Sequence, residues 1–537
     1  MNADFVLLGG RVATMDAAGT ECSAVAALNG RLVALGRDEE VKHLIGPDTT
    51  VLHAEGKRVL PGIVDSHAHP DAYAIRLCTW TLVSPDRVRS RNELLSTIQQ
   101  RCAELPPGRW AAFYRLNERA SGGYPTLDEL DAASGGRPLF ILRTDGHLGL
   151  ANRAAFAACG IDATTPDPPF GRFDKVDGAL TGLVRETAAH VFLNAVHGQD
   201  SEADIADGME MVQDQCLAAG ITSVANSLTP AKAIRAYQDM CRDGRWRMRM
   251  GIIASGRDEP LIPHLIGAGI RSGFGDEWLR LIGVEWCPDC STSGRTAAYW
   301  QPYVGAPIPG EPVPNTGMLL YDKDDLTQRA TAAHRAGLQV MIEGVGDRGI
   351  DFALDVMEAA LAAHPVADHR MRVEHCCYVT PPVLDRLKRG GFVDSSATGF
   401  MDELGEAYAA NRGQAAMRWM WPHRSLIDAG VPAPGHSDFA VCRVSPWTAI
   451  AAMVTRRTTT GADLDATEAV TPREAVRAYT WLGAWAQREE REKGSLEPGK
   501  LADLIVLDRD VLDGDAAAIA GTQVVATVVG GAIRHRL

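Results

Sequence analysis

Short apolar runs recur eight times along this chain, and helical stretches separate most of them. Runs of this composition are typical of parallel strands that helices cover on both faces. Strand and helix alternating eight times predicts the α/β class and a TIM-like (β/α)8 barrel. The last run contains Pro432 and Pro434, which make it the weakest strand of the set. The eight runs are residues 59–66, 221–226, 248–253, 279–286, 338–343, 371–375, 391–396 and 431–438.

Two other regions surround or interrupt this pattern. Residues 1–58 alternate short apolar runs with turns, including the hairpin signal Asn29-Gly30. Residues 488–537 show the same alternation of apolar runs and turns. We therefore expect a small β-sandwich built from both termini, with the barrel in residues 59–74 and 205–487. Residues 75–204 are too long for one connection and carry strands of their own. We expect them to form an insertion domain after barrel strand 1, where they could roof the active site.

Charge and composition narrow the classes of partner. The chain has 537 residues, a formal charge of −14 and no basic stripe, which argues against binding to nucleic acid or to an anionic membrane. No apolar run approaches the length needed to span a membrane, and the eleven cysteines are scattered. The first residues lack the basic flank and apolar core of a signal peptide, so we expect none. We expect a cytoplasmic protein with reduced thiols and a small-molecule substrate. A homodimer is one possible assembly.

Metal-ligand residues fall at the ends of the predicted strands. His67 and His69 close the first run, and because side chains alternate along a strand, both imidazoles point the same way. Any one of these residues could simply be a hydrogen-bonded core residue or a surface residue. Six of them at the strand ends of one barrel indicate a metal site at its catalytic face. These six residues are His67, His69, Glu285, Glu343, His375 and Asp438.

Five motifs along the chain carry a resemblance to a known family. They are His67-x-His69, Asp145-Gly-His147 followed by Asn152, Val373-Glu-His375, Gly435-x-Ser-Asp438 and Gly494-Ser-Leu-Glu-Pro-Gly-Lys-Leu-Ala-Asp503. With these motifs the chain resembles the amidohydrolase superfamily, and within it the YtcJ-like branch, over nearly its whole length. This resemblance implies a barrel that uses one or two divalent metals to activate water, with metal-binding roles for His67, His69, His375 and Asp438.

Two residues depart from the family pattern. Glu285 stands where the family usually has a strand-4 lysine, and Glu343 stands where it usually has a strand-5 histidine. Both glutamates remain metal-binding groups. Three carboxylates around a single divalent ion would leave excess buried negative charge, which favours two ions, although one ion stays open. Cys287 is an alternative ligand to Glu285. Zinc is the commonest choice, with Mn, Fe or Co as alternatives.

The reaction that these features favour is hydrolysis of an amide-type C–N bond by metal-activated water. Asp438 would act as the general base and then as the acid. His147 would bind the substrate or stabilise the developing oxyanion, and Arg295 and Tyr299 are further substrate-binding candidates. Alternatives are a deaminase, a decarboxylase or other lyase in the same barrel, or a catalytically inactive binding or assembly subunit.

Overall fold

The computed structural model describes residues 2–118, 120–144, 146, 148–169, 171–257, 260–307 and 311–537. The chain divides into two compact units. The first combines the chain up to Pro70 with Val212–Leu537, and the second is Asp71–Met211. Within the described ranges, no helix has the length and apolar character that crossing a membrane requires.

The N-terminal region forms short strands and one helical turn. Four of the strands make a sheet in the order β5-β4-β1-β6. The hairpin predicted at Asn29-Gly30 is present, because β4 and β5 pair antiparallel and both turn residues have positive φ angles. The elements are β1 (Phe5–Leu8), β2 (Arg11–Ala13), β3 (Glu21–Cys22), β4 (Ala24–Leu28), β5 (Arg31–Gly36), α1 (Asp38–Val41), β6 (Thr50–His53) and β7 (Arg58–Pro61).

After β8 (Ile63–Ala68) the chain enters the second unit, which has a six-stranded sheet in the order β13-β14-β12-β11-β10-β9. Its core packs Leu94, Ile98 and Leu130 of the helices against Phe113 and Ile141 of the sheet. The strands are β9 (Thr81–Leu82), β10 (Ala111–Leu116), β11 (Leu139–Arg143), β12 (Leu148–Ala151), β13 (Gly171–Val176) and β14 (Ala179–Glu186). The helices of this stretch of chain are α2 (Pro70–Thr79), α3 (Arg91–Glu104), α4 (Leu127–Ser134), α5 (Arg153–Ala158), α6 (Thr187–His197) and α7 (Glu202–Ala218).

The barrel is a seven-stranded, nearly closed parallel sheet. Its strands follow chain order from β8 to β20, and helices connect most of them. The other strands are β15 (Ile221–Thr229), β16 (Arg249–Ser255), β17 (Leu279–Trp286), β18 (Val340–Gly344), β19 (Arg372–His375) and β20 (Val393–Ser396). The helices are α8 (Ala231–Arg242), α9 (Leu261–Gly267), α10 (Lys323–Arg335), α11 (Asp347–Ala363) and α12 (Pro381–Gly390). The predicted parallel barrel is thus confirmed for seven strands.

The prediction of an eighth strand over residues 431–438 is wrong. This segment makes only an isolated parallel bridge, between Ser396 and Gly435. Proline has no N–H to donate, so Pro432 and Pro434 only accept hydrogen bonds, from the backbone of β20. On the other side, the N–H of Asp438 donates to the carbonyl of His67 at 3.1 Å. The segment therefore fills the gap between β20 and β8 as irregular backbone.

The C-terminal region completes a second sheet. Its strands are β21 (Leu504–Leu507), β22 (Val524–Val529) and β23 (Ala532–Arg536), and the sheet order is β23-β22-β21-β7-β2-β3. The two terminal sheets share one core, in which Phe5 and Leu7 pack with Leu504 and Val506. The remaining helices are α13 (Thr398–Glu403), α14 (Gly405–Arg412), α15 (His423–Ala429), α16 (Pro446–Thr455), α17 (Pro472–Ala478) and α18 (Trp481–Ala486). Short 3-10 helices span Lys42–Leu44, Gln414–Trp419, Ala466–Glu468 and Ala516–Gly521.

A buried ion pair and a buried hydrogen bond tie the C-terminal segment to the amino-terminal parts of the barrel strands. Arg249, the first residue of β16, donates from Nη2 to Oδ1 of Asp503 at 2.8 Å, and both side chains are buried. The Nζ of Lys493 donates to Ser223 in β15 at 2.7 Å. The predicted metal ligands lie at the opposite, carboxyl ends of the strands, as Glu285 in β17 and His375 in β19 illustrate.

Candidate metal centre

Three predicted ligands converge at the end of β8. The Nε2 atom of His69 lies 3.1 Å from Oδ1 of Asp438, and Nε2 of His67 lies 3.5 Å from the same oxygen. The candidate ligand atoms of these three residues all lie within 4.8 Å of one another. They meet for two reasons. The chain at the end of β8 presents both imidazoles on one side, and the backbone N–H of Asp438 is hydrogen-bonded to the carbonyl of His67.

The protonation state of this group suits a cation. Burial lowers the pKa of His67 well below its ordinary value, and the neighbouring ring of His375 acts in the same direction, because two adjacent protonated imidazoles would repel each other. Burial alone would raise the pKa of Asp438, but the hydrogen bond from His69 and the charges of nearby histidines lower it overall. Neutral imidazoles and an ionised carboxylate are the forms that bind a metal.

Unpartnered buried atoms provide a separate test of whether a metal fits. Among the described side chains, Nε2 of His67 and Nδ1 of His375 are buried and have no hydrogen-bond partner. Buried polar atoms are normally bonded, because each one left alone costs about 1–3 kcal/mol. A divalent cation would satisfy the lone pairs of such atoms, so the residues present fit a metal.

A buried carboxylate orients His67. Its Nδ1 lies 2.7 Å from Oε2 of Glu374, whose two oxygens also accept from Arg372 at 2.6 and 2.8 Å. Because a carboxylate already receiving arginine donors only accepts, we assign the proton of His67 to Nδ1. Its lone pair then lies at Nε2, on the side of Asp438. This carboxylate–histidine arrangement is common around protein metal ions, where it fixes the ring and raises its basicity.

The two glutamates that depart from the family pattern lie in the same cluster. Oε1 of Glu285 is 4.0 Å from Nδ1 of His67, and its other oxygen accepts from the hydroxyl of Ser227. Oε1 of Glu343 is 3.8 Å from Nε2 of His375. Burial, followed by the negative charge of Glu374, raises the pKa of Glu285 to about 7, and burial raises that of Glu343 well above its ordinary value. A cation nearby would reverse both shifts.

The ring of His375 joins these groups to the first three. Its centroid lies 4.7 Å from that of His67. All six predicted metal ligands therefore belong to one cluster at the carboxyl ends of the strands. Cys287, the alternative ligand on β17's side of the site, has its Sγ 3.8 Å from Oε1 of Glu285.

The predicted substrate-binding residues have a different environment. The guanidinium of Arg295 donates to Glu311, to the carbonyl of Val304 at 2.8 Å and to Asn411 at 3.2 Å. Arg295 would have to leave these partners to bind a substrate. The buried hydroxyl of Tyr299 lies 2.7 Å from that of Thr292.

The predicted catalytic and substrate-binding residue His147 lies outside the described residues, as does Asp145 of the same motif. Asn152, which follows that motif, caps helix α5. Its side chain accepts from the N–H of Ala155 at 2.9 Å.

Four residues of the site escaped the sequence reasoning. Glu374 lies within the motif Val373-Glu-His375, and His436 lies in the turn before Asp438. The sequence did not predict a function for either side chain. Asp289 accepts four backbone N–H bonds, from residues 290, 298, 345 and 346, and so ties the loop after β17 to the turn after β18. Arg257 lies just past the end of β16, beside Glu285, whose carbonyl accepts from the N–H of residue 256. Only its place after a strand end could have pointed to it.

The fold and the cluster together define a class of protein, the metal-dependent hydrolases built on parallel barrels. The family model described as the amidohydrolase family matches residues 50–535, and the chain belongs to that family. It is 30% identical to N-substituted formamide deformylase of Arthrobacter pascens over 99% of this chain and 98% of that protein. It is 26% identical to the putative amidohydrolase YtcJ of Bacillus subtilis over 98% of each, which supports the predicted YtcJ-like branch.

The fold also matches solved structures. An uncharacterized metal-dependent hydrolase from Pyrococcus horikoshii superposes with a TM-score of 0.80 at 23% identity, covering 95% of this chain and 99% of that one. At this identity the likeness concerns the fold.

Proposed function

We propose that the chain hydrolyses an amide-type C–N bond of a small molecule by means of metal-activated water. The observation that carries the proposal is the arrangement around His67, whose Nδ1 is held by Glu374 while its unpartnered Nε2 lies next to Asp438. In this arrangement the ring of His67 is oriented with a free lone pair for a metal, and it lies beside a candidate general base. The similarity to a protein named N-substituted formamide deformylase supports an amide as the bond that is cleaved.

Six side chains would hold the metal: His67, His69, Glu285, Glu343, His375 and Asp438. These residues would hold one or two divalent ions, and their three carboxylates favour two, with zinc as the first candidate and Mn, Fe or Co as alternatives. When bound, a divalent ion lowers the pKa of water towards neutrality and polarises a carbonyl oxygen.

Asp438 is the proposed proton carrier. Its depressed pKa keeps it ionised at neutral pH, so it can accept a proton from the attacking water. It would then pass that proton to the departing nitrogen, which leaves as a free amine. His69, 3.1 Å away, would hold the carboxylate in place during both transfers. Glu374 would keep the ring of His67 in one orientation throughout.

The substrate side of the site rests on five further proposals. The insertion of residues 75–204 would roof the pocket, and His147 would reach the substrate or its oxyanion from there. Tyr299 would wall the pocket, and Arg295 would bind substrate only after leaving Glu311. We also propose Arg257 as a cationic residue on the substrate side of the site.

Product analysis tests the proposal. The metal-loaded protein would be incubated with a panel of N-substituted formamides, N-acyl amines and N-acyl amino acids, with Asp438→Asn as the matched control. We expect equal amounts of amine and carboxylate from at least one substrate class, formed about a hundred-fold or more slowly by the control. Ammonia from a ring amidine, or carbon dioxide from a carboxylate, would replace amide hydrolysis by another reaction of the same barrel.

A further inference from the structure

His436 is a buried histidine that has no assigned role in this structure. It lies in the segment between β20 and β8, is fully buried, and neither of its ring nitrogens has a hydrogen-bond partner among the described residues. Its backbone is held on both sides, because its N–H donates to the carbonyl of Ser396 and its carbonyl accepts from Gly399. The fold therefore fixes the backbone that carries this unpartnered ring.

Buried histidines elsewhere in the same unit behave differently. The ring of His334 is hydrogen-bonded to the carbonyl of His364 at 2.8 Å, that of His369 to Gly390 at 2.9 Å, and that of His423 to Trp421 at 3.0 Å. Each of these three buried histidines, which have no proposed metal role, thus has one ring nitrogen in a hydrogen bond. His436 satisfies neither, which is costly unless something outside the chain binds it.

The neighbours of His436 indicate what that ligand is. Its ring centroid lies 4.7 Å from that of His67 and 5.3 Å from that of His375, and those two centroids are 4.7 Å apart. Three imidazoles on one tetrahedral ion have centroids about 5 Å apart, since metal–nitrogen distances are about 2.0–2.1 Å. Each of the three rings also carries at least one unpartnered nitrogen.

We infer that His436 is a further metal ligand of this chain, forming a three-imidazole group with His67 and His375. The inference rests on the metal site of the proposed function and adds a ligand to it. It also offers a physical account of how the site tolerates a glutamate at position 343, because His436 supplies a neutral nitrogen donor among several carboxylates. Neutral ligands reduce the negative charge that the cation must balance.

The test compares His436→Gln with His423→Gln, a matched change at a buried histidine outside the cluster. The full-length proteins would be stripped of metal, checked for folding by circular dichroism and titrated with Co²⁺. Affinity would be measured by chelator competition and ligand geometry by visible absorption. We expect His436→Gln to bind Co²⁺ at least ten-fold more weakly and with an altered spectrum, while His423→Gln matches the wild type. Unchanged affinity and spectrum in folded His436→Gln would overturn the inference.

A measurement on the wild type covers the case in which His436→Gln does not fold. X-ray absorption of the Co²⁺-loaded protein, combined with the metal stoichiometry, counts the imidazole ligands per chain. We expect four, from His67, His69, His375 and His436, and a count of three would overturn the inference. Failure of the metal site itself is distinguishable, because the wild type would then bind no Co²⁺ at all, and failure of the proposed reaction is detected separately by the product analysis above.

Discussion

The Nδ1 atom of His67 lies 2.7 Å from Oε2 of Glu374, and both side chains are buried inside the barrel. Arg372 holds the same carboxylate through two further hydrogen bonds. This pair couples the barrel interior to the metal site, because it fixes which nitrogen of His67 is free to bind a cation.

The first prediction concerns this pair. Glu374→Gln keeps the size of the side chain but removes its charge, so the ring of His67 loses a strong acceptor. We expect metal affinity to fall by about 10- to 100-fold, measured by chelator competition on folded protein. Glu468→Gln, at a buried glutamate that accepts from Ser425, serves as the control and should leave affinity unchanged. Equal affinities would mean that Glu374 has only a packing role.

The second prediction concerns Asp438 as the proton carrier. Asp438→Asn keeps the shape and removes the basicity, so turnover of an amide substrate should fall by about a hundred-fold or more. Metal content must be measured alongside, since Asp438 is also a proposed ligand. Retained turnover in a metal-loaded variant would place the base elsewhere, with Glu343 as the next residue to test.

The third prediction concerns the number of ions. If Glu285 is shared between two ions, Glu285→Gln should lower the stoichiometry from about two ions per chain to about one, measured by mass spectrometry. The wild type measured in parallel supplies the reference value. An unchanged two-ion site would mean that another residue is shared, and Cys287, 3.8 Å from Glu285, would then be tested.

The fourth prediction concerns the base of the barrel. Asp503→Asn would leave the buried guanidinium of Arg249 without its counter-charge, which typically costs about 3–5 kcal/mol. We expect a clear drop in the free energy of unfolding, measured by urea denaturation, with metal stoichiometry unchanged in the folded protein. The exposed pair Arg37–Glu40 supplies the control, and Glu40→Gln should leave the unfolding midpoint where it is.

Sequence reasoning predicted the seven barrel strands and placed the six candidate ligands at strand ends, because both inferences depend on local pattern. Apolar runs mark buried strands, and His67 and His69 share a face by simple alternation. It failed at residues 431–438, where two prolines prevent a regular strand but leave the closing contacts in place. It also passed over Glu374 and His436, because their importance arises from neighbours that only the folded barrel brings together. The hydrogen-bond partners of Arg295 could not be predicted for the same reason.

The metal content of three purified proteins tests the central claim most directly. Wild type, His67→Ala and His69→Ala would be measured by mass spectrometry, with His53→Ala, at an exposed histidine of β6, as the control. We expect stoichiometric divalent metal in the wild type and the control, and strong depletion with loss of hydrolysis in both site variants. Full metal occupancy and unchanged activity in His67→Ala and His69→Ala would contradict a metal-dependent hydrolase centred on these residues.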